Sequence, residues 1–424
     1  MKNFCTFFLL FSAVITFGQS QTKRVLFIGN SYTYVNDLPK MIADMATATG
    51  DTLIYDSNTP GGFTLQGHST NAITINKIKA GNWNYVVLQE QSQRPSFPIS
   101  QVQTSVFPYA QILDSLINHH DSCAETVFYM TWGRKNGDAS NCAFFPPLCT
   151  YQGMDSLLNL RYRMMADSND AIVSPVGAVW NYIRANHPSI ELYSADESHP
   201  SVAGTYAAAC SFYTSFFRKD PSSIPFNSSL SALEAQTIRN AAKVVVFDSL
   251  PKWHIGEYDP VASFSHVALP DTACTVHFAN TSKNADNYWW DFGDGTFSFM
   301  ENPTHIYTSI GNYSIRLAAS KCGKFDTTEV VLFGPCPVSI PELGNTNLRW
   351  SIFPNPVKQA LGISDINDMD YSFSIINTTG TEVLKGNSPR VHERIDVAHL
   401  PAGVYFLHLM EKEKSLGYRK FVKD

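Results

Sequence analysis

The chain has 424 residues, of which 44% are hydrophobic and 16% are charged, and its formal net charge is −6. A chain of this length exceeds one hydrophobic core, so two or three folded domains are expected. The acidic balance and the scattered Lys and Arg residues argue against nucleic acid or an anionic membrane surface as a partner.

Residues 1–20 have the pattern of a secretory signal peptide. Lys2 precedes an apolar run that ends at Phe17, and small and polar residues follow, so we expect cleavage between Gly18 and Gln21. No later stretch approaches the length of a membrane span. The sequence therefore predicts an exported chain without a stable membrane span.

The cysteines of an exported chain are expected to form disulfides in part. Seven of the 8 cysteines lie beyond the predicted signal peptide. We predict one bond between Cys142 and Cys149 and a second between Cys274 and Cys322. The spacings do not match a zinc site. The cysteines left without a partner are Cys123, Cys210 and Cys336.

Apolar strands and helical patterns alternate through residues 21–255. This alternation predicts an α/β domain with a mostly parallel sheet. The predicted strands are 25–28, 52–55, 83–89, 125–132 and 171–175, and the predicted helices are 37–45, 65–78, 102–117, 154–165, 179–185, 202–217 and 233–247.

Polar residues follow two of these strands directly. Ser31 comes after the first strand in the sequence KRVLFIGNSYT, and Glu90-Gln91-Ser92 follows the strand over 83–89. The carboxyl ends of parallel strands are where ligands and reacting groups collect, and a helix predicted from Leu38 could direct its N–H groups at an anion. Taken alone, Ser31 fits turn and N-cap chemistry better than a nucleophile.

A second sequence motif favours a role of Ser31 as a nucleophile. Asp196 and His199 lie three positions apart in the loop before the helix over 202–217, so both can reach the sheet edge that carries Ser31. Together the three residues would supply a nucleophile, a base and a carboxylate that orients the base. In isolation, Asp196 could instead cap the following helix and His199 could be a surface residue.

The GNS block at Ser31 and the DESHP block at His199 resemble the SGNH or GDSL hydrolases over residues 24–217. The resemblance implies a three-layer α/β/α sandwich and a serine esterase that needs no metal or organic cofactor. It also implies that Ser31, Asp196 and His199 are catalytic. In many members of that superfamily a backbone carbonyl orients the histidine, which would make Asp196 the less critical residue.

The same resemblance implies an oxyanion hole made of three donors. Besides the N–H of Ser31, a glycine N–H is expected, for which Gly62 is the best match and Gly61 the alternative. The family's Gly-x-Asn-Asp block is replaced here by Leu88-Gln89-Glu90-Gln91-Ser92-Gln93, so a glutamine must donate in place of the asparagine. We choose Gln91 over Gln89 and Gln93, and expect Glu90 to stabilise the loop.

Trp132 and Arg134 follow the predicted strand over 125–132 at the same edge of the sheet. We expect them to line an acyl or sugar pocket. An equally good alternative is a structural tryptophan beside a solvated arginine.

From residue 259 the pattern changes to short alternating strands. The aromatic strand at 288–292, the turn Gly293-Asp294-Gly295 and the Pro-x-His-x-Tyr strand that ends at Tyr307 resemble the polycystic-kidney-disease (PKD) repeat, a β-sandwich, over residues 259–335. The aspartates make a tight turn there. A calcium loop is the less favoured alternative, because a ladder of carboxylates is missing.

Residues 349–424 read as another small β-sandwich, after a proline-bearing linker over 334–347. The PNP segment at 354–356 and LPAGVYF at 400–406 resemble the C-terminal sorting domain of the type IX secretion system. The resemblance implies that this machinery is a partner, and that the protein is secreted or displayed by a Bacteroidetes-type route across the outer membrane.

These features predict an extracellular O-deacetylase that hydrolyses short acyl esters on carbohydrates, a substrate class implied by the resemblances alone. One alternative is a non-catalytic adhesion or carbohydrate-binding protein, against which the retention of Ser31, Asp196 and His199 argues. A second alternative is a lipase or thioesterase for longer acyl chains.

Overall fold

The computed structural model describes residues 20–269, 274–309, 311–333, 350–364, 371–387, 394–411 and 414–424. Residues 1–19 of the predicted signal peptide, the predicted linker over 334–347 and Cys336 lie outside the described residues. Within the described ranges, no helix is long and apolar enough to cross a membrane.

The N-terminal part of the chain is built on a parallel sheet of five strands in the order β2-β1-β3-β4-β5. Val25–Ile28 are fully buried, as expected for a strand covered on both faces. Because β1 lies between β2 and β3, the strand order reverses there, and ligands bind at such a switch point. The strands are β1 Thr22–Ile28, β2 Thr52–Asn58, β3 Tyr85–Leu88, β4 Glu125–Tyr129 and β5 Ile172–Ser174.

Helices connect these strands and confirm the predicted α/β fold. They are α1 Ser31–Tyr34, α2 Leu38–Ala48, α3 Leu65–Thr70, α4 Ala72–Lys79, α5 Ile99–Ser105, α6 Phe107–His120, α7 Tyr151–Ser168, α8 Val176–Asn186, α9 Val202–Phe217 and α10 Ala232–Val245. Short 3-10 helices occur at Val35–Asp37, Arg94–Ser96, Pro146–Cys149, Pro221–Ser223 and Phe247–Trp253.

Two predicted helices are each divided in the structure. The helix predicted over 65–78 breaks at Asn71, whose side chain accepts a hydrogen bond from the N–H of Thr74 and so caps α4. The helix predicted over 102–117 breaks at Val106, because Pro108 in the first turn of α6 favours a new helix start. An isolated bridge between Tyr193 and Pro200 closes the loop that carries His199.

Helix α9 is buried from Ala203 to Phe217 and packs against α2, α8 and α10. Its small residues allow this close approach. A Cβ atom on Gly204 would lie 2.2 Å from the carbonyl oxygen of Leu192 and 2.5 Å from the Trp180 ring. This packing fixes the N-terminal end of α9, which follows directly after the loop that carries His199.

The later described residues form two small antiparallel β-sandwiches, as predicted. The first has sheets β10-β7-β6 and β12-β11-β8-β9 around Trp290 and Phe278, and the second has sheets β13-β14-β17 and β16-β15-β18-β19 around Leu407. Their strands are β6 Phe264–Ala268, β7 Thr275–Asn280, β8 Asn287–Asp291, β9 Phe297–Ser298, β10 Thr304–Ile306, β11 Asn312–Lys321, β12 Lys324–Phe333, β13 Ser351–Phe353, β14 Ala360–Ser364, β15 Ser372–Asn377, β16 Glu382–Asn387, β17 Ile395–Asp396, β18 Gly403–Glu411 and β19 Lys414–Lys423.

The predicted disulfide between Cys142 and Cys149 is confirmed, whereas the predicted bond between Cys274 and Cys322 is wrong. Cys322 lies in the turn between β11 and β12 and is bonded to Cys123, just before β4, at a sequence separation of 199. Cys274 is disulfide-bonded, but not to Cys322. Cys210 is free and buried.

Ion pairs accompany the bond between Cys123 and Cys322. Lys324 Nζ lies 2.7 Å from Asp259 Oδ1 and 3.3 Å from Glu125 Oε2, and Arg218 also pairs with Asp259. Glu125 is the first residue of β4, so this junction lies at the amino end of the sheet. The first β-sandwich is therefore attached at the edge opposite the carboxyl ends of the strands, where Ser31 is found.

Candidate active site

Ser31 lies at the turn that connects β1 to the next helix. The sequence predicted a helix from Leu38, but a separate four-residue helix, α1, already begins at Ser31. Asn30 caps α1, since its side-chain oxygen accepts from the N–H of Tyr32 at 3.1 Å. Ser31 therefore occupies the first helical position, at the carboxyl end of a central strand.

Gln89 holds this turn from the neighbouring strand tip. Its side-chain oxygen accepts from the N–H of Asn30 at 2.9 Å and from Thr33 Oγ1 at 3.0 Å, while its amide nitrogen donates to Asn30 Oδ1 at 2.9 Å. Gln89 is fully buried. A Cβ atom on Gly29 would lie 2.7 Å from the Gln89 oxygen, which explains the glycine before Asn30. The amide of Gln89 is thus committed to the turn.

His68 supports the same turn and was missed in the sequence. Its Nε2 lies 2.8 Å from the carbonyl oxygen of Gly29 and its Nδ1 lies 2.8 Å from Thr74 Oγ1. Because a carbonyl can only accept, Nε2 is assigned as the donor and Nδ1 as the acceptor. Burial lowers the pKa of His68 to about 4, so the ring is neutral at pH 7.

Ser31, His199 and Asp196 are brought together as a hydrogen-bonded chain. His199 Nε2 lies 2.8 Å from Ser31 Oγ, and His199 Nδ1 lies 2.5 Å from Asp196 Oδ2. Asp196 Oδ1 accepts from the N–H groups of Ser198 and His199. Partial burial acts to raise the pKa of Asp196, but its bonds to the His199 ring and to these N–H groups leave it below the ordinary value.

The loop that carries His199 is fixed against an aromatic stack. Trp132 lies between Tyr32 and Trp180, with ring centroids 4.7 Å and 3.8 Å away, and its Nε1 donates to the carbonyl of Ser198 at 3.1 Å. The hydroxyl groups of Tyr32 and Ser198 are 2.7 Å apart. Trp132 is fully buried, so the expectation that it lines a substrate pocket is wrong. It positions the loop instead.

A cavity of about 220 Å³ opens beside Ser31 Oγ. Gly62, Gln91 and Arg134 border it, whereas Gly61, Gln89, Gln93 and Trp132 are not among the described residues that do. The residues that line it are Asn30, Ser31, Tyr32, Gly62, Gln91, Ser92, Arg134, Ser198 and His199.

Three of the residues that line this cavity have hydrogen-bond donors available for a ligand. Within the described parts of the chain, the backbone N–H groups of Ser31 and Gly62 donate to no other residue. The Gln91 amide nitrogen donates only through long bonds, 3.3 Å to Ser92 Oγ and 3.2 Å to the side-chain oxygen of Gln93, while its side-chain oxygen accepts from the N–H of Gln93 at 3.0 Å. Gln93 itself donates to Asp138 at 2.7 Å. Of the three glutamines considered, Gln91 is the one at the cavity.

Glu90 is fully buried behind the cavity and ties the tip of β3 to α3. Its carboxylate accepts from the N–H of Gln91 at 2.6 Å and from the N–H of Leu65, the first residue of α3, at 3.3 Å. Burial raises the pKa of Glu90 to about 7. Its contacts are those of a residue that stabilises the loop.

The pKa shifts of Glu90 and His68 are in opposite directions, and we expect them to change the stability of the fold with pH in opposite senses. Glu90 binds a proton more tightly in the folded state, so its contribution to the free energy of unfolding falls as the pH rises from 4.5 to about 7. The pKa of His68 is lowered from 6.5 to about 4, so its contribution is lost as the pH falls through that range. The two effects largely cancel between pH 4.5 and 6.5.

Replacing Glu90 by Gln should remove this cancellation. We expect the free energy of unfolding of the variant, relative to that of the parent chain, to increase with pH from 4.5 to 7 and then level off, at a slope of at most about 1.4 kcal/mol per pH unit. Thermal unfolding of both chains at matched pH values measures it. A difference that does not change with pH would contradict the burial of an ionisable Glu90.

The two C-terminal sandwiches match known families. Residues 258–331 match the PKD domain, and residues 351–424 match the secretion system C-terminal sorting domain. The chain thus carries both domains, and the sorting domain indicates export to the cell surface or secretion. It also implies an interaction with the type IX secretion machinery.

Similar solved structures include a DUF4886 family protein from Bacteroides uniformis, 16% identical with a TM-score of 0.47, which covers 54% of this chain and 96% of that chain. A proposed SGNH hydrolase from Slackia heliotrinireducens is 26% identical with a TM-score of 0.38, and the match covers 45% of this chain and 97% of that chain. The PKD1 domain of the Vibrio cholerae metalloprotease PrtV is 34% identical with a TM-score of 0.16, and the match covers 18% of this chain and 94% of that chain. No curated protein matches the chain.

Proposed function

We propose that this chain, which carries a PKD domain and a sorting domain, is an exported serine esterase. Ser31 is its nucleophile, His199 its general base, and Asp196 orients the imidazole. One observation carries the proposal: Asp196 Oδ2, the His199 ring and Ser31 Oγ form a continuous hydrogen-bonded chain that ends at a cavity. A serine hydroxyl so placed can be deprotonated as it attacks an acyl carbon.

The reaction proceeds in two halves. His199 Nε2 takes the Ser31 proton as Oγ attacks the ester carbonyl, and the N–H groups of Ser31 and Gly62 with the Gln91 amide stabilise the oxyanion. One such donor is typically worth about 3 kcal/mol of transition-state stabilisation. Collapse of the tetrahedral intermediate transfers the proton from His199 to the leaving alcohol. Water, activated by the same histidine, then hydrolyses the acyl-enzyme.

Short acyl esters of carbohydrates are the proposed substrates. A cavity of about 220 Å³ suits an acetyl group better than a long acyl chain. The sorting domain places the protein outside the cell, where acylated polysaccharides are available. The intact Ser31–His199–Asp196 chain favours an enzyme over an inert adhesion module.

A fluorophosphonate probe tests the proposal directly, because only a hydroxyl activated by a base reacts with it readily. We expect covalent labelling of the peptide that contains Ser31, identified by mass spectrometry, and none in the heat-unfolded chain. Rates with 4-nitrophenyl acetate should exceed those with the corresponding palmitate. A folded chain that resists the probe and hydrolyses neither ester would support the adhesion alternative.

A further inference from the structure

Arg134 brings a positive charge into the cavity of Ser31. It lies beyond the end of β4, and its side chain is 28% exposed where it borders the cavity. Its Nη1 lies 3.3 Å from Asp138 Oδ1, a long distance for an ion pair. Its Nε is buried and has no hydrogen-bond partner among the described residues. Most donors of this guanidinium are therefore unused.

Asp138 is the counter-ion of Arg134 but leaves most donors of the guanidinium free, because its carboxylate oxygens are shared among other donors. Asp138 is completely buried, and its Oδ2 accepts from the side-chain amides of Gln93 and Asn141, each at 2.7 Å. Its Oδ1 accepts from the N–H of Ser140 at 3.2 Å. All of these bonds are shorter than the one to Arg134, so Asp138 acts mainly to hold its own loop and the side chain of Gln93.

Other carboxylates near the cavity are also committed. Asp196 is bonded to the His199 ring and two N–H groups, and Glu90 is bonded to two N–H groups. Among the described residues that line the cavity, none is an Asp or a Glu. Apart from the long bond of Nη1 to Asp138, the Nη donors of Arg134 have no partner among the described residues, so a ligand that supplies an anionic acceptor at the exposed end of the guanidinium is favoured.

We infer that Arg134 recognises a carboxylate on the substrate, so that the site takes O-acylated acidic sugars. A planar guanidinium can bind a carboxylate through two parallel hydrogen bonds, which an uncharged hydroxyl cannot match. The acyl group occupies the small cavity while the sugar stays at its mouth, where the exposed part of Arg134 lies. This inference rests on the proposed esterase function and specifies its substrate class.

A matched pair of substrates tests the inference with the full chain. The methyl glycosides of galacturonic acid and galactose, acetylated at the same ring hydroxyl, differ only at C6, which is a carboxylate in the first and a hydroxymethyl group in the second. We expect kcat/KM to favour the acidic ester by about 10- to 100-fold, the range of a charge-assisted hydrogen bond. The preference should decrease as salt is added, because salt screens an exposed charge.

Variants assign this preference to Arg134. Arg134→Gln should bring the ratio of the two kcat/KM values close to one, mainly through KM for the acidic ester. Arg134→Lys should restore it only in part, because an ammonium cannot form the bidentate pair. Lys135→Gln is the matched control. This variant removes a positive charge at the next position in the sequence. Lys135 Nζ lies 2.6 Å from Glu191 Oε2, and Lys135 is not among the described residues that border the cavity. The ratio of the two kcat/KM values should therefore remain that of the parent chain.

The outcomes separate this inference from the proposed function. Equal hydrolysis of both esters by the parent chain would overturn the role of Arg134 and leave the esterase assignment standing. An equal loss on both esters in Arg134→Gln would also overturn it, since the arginine would then not read the carboxylate. A chain that hydrolyses neither ester and resists the fluorophosphonate probe would refute both.

Discussion

Ser31→Ala should lower kcat for a short acetyl ester by about 10⁴- to 10⁶-fold, because Ser31 Oγ is the one hydroxyl among the described residues that is hydrogen-bonded to the His199 ring. His199→Ala should cause a loss of similar size, since Ser31 Oγ then lacks the base at 2.8 Å. The double variant should be little worse than either single one, as members of one catalytic unit are not additive. Steady-state kinetics with 4-nitrophenyl acetate measure these losses.

Unfolding midpoints provide the control for these variants. His199 is partly exposed and Ser31 lies at a cavity, so neither substitution should open the core. Asp196→Asn should lower kcat nearly as much as His199→Ala does, because Asp196 is the partner of His199 Nδ1 among the described residues. A Ser31→Ala variant that retains a tenth of the parent activity would exclude Ser31 as the nucleophile.

The proximity of Ser31 to His199 and Asp196 could be predicted, because the sequence motifs that carry these residues lie at the same edge of the sheet. The sequence blocks that carry them are short and local, and parallel strands align their carboxyl ends. The α/β alternation was predictable for the same reason, since each buried strand is a short apolar run. Neither prediction required knowledge of which side chains touch.

Features that depend on contacts between distant segments could not be predicted. Trp132 is an aromatic residue beside a polar strand tip in the sequence, and only the positions of Tyr32 and Trp180 show that it is sandwiched and buried. His68 has no sequence motif, because its partner is the backbone carbonyl of Gly29, 39 positions away. Cys123 and Cys322 pair across 199 positions and two domains, which spacing does not reveal.

The polar segment after β3 illustrates the same limit. Gln89, Gln91 and Gln93 have equal chemistry in the sequence, and alternation along an extended chain would place them on one side. The structure separates them. Gln89 is bonded to Asn30 beneath the turn, Gln93 is bonded to Asp138, and Gln91 faces the cavity. Substitution of Gln91 and of Gln89 should therefore have different consequences.

Gln91→Ala should lower kcat/KM for an acetyl ester by about 10²- to 10³-fold, the usual effect of removing one oxyanion donor. The unfolding midpoint of this variant should remain near that of the parent, because the Gln91 side chain is bonded only to its neighbours Ser92 and Gln93 among the described residues, at 3.0 to 3.3 Å. Gln91→Glu keeps the size of the side chain but places an acceptor opposite the oxyanion, so it should be at least as inactive as Gln91→Ala.

Gln89→Ala should lower both activity and stability. It leaves a void beside β1 and removes the acceptor for the N–H of Asn30 and the hydroxyl of Thr33, and an unsatisfied buried donor costs about 1 to 3 kcal/mol. The turn that carries Ser31 would then lose its anchor, and small displacements of a reacting group can reduce rates about 100-fold. Kinetics and thermal unfolding of Gln91→Ala and Gln89→Ala, measured side by side, distinguish a residue that donates to the oxyanion from a residue that supports the turn of Ser31. If Gln91→Ala retained full activity while Gln89→Ala folded normally and lost it, the oxyanion donor would be reassigned to Gln89.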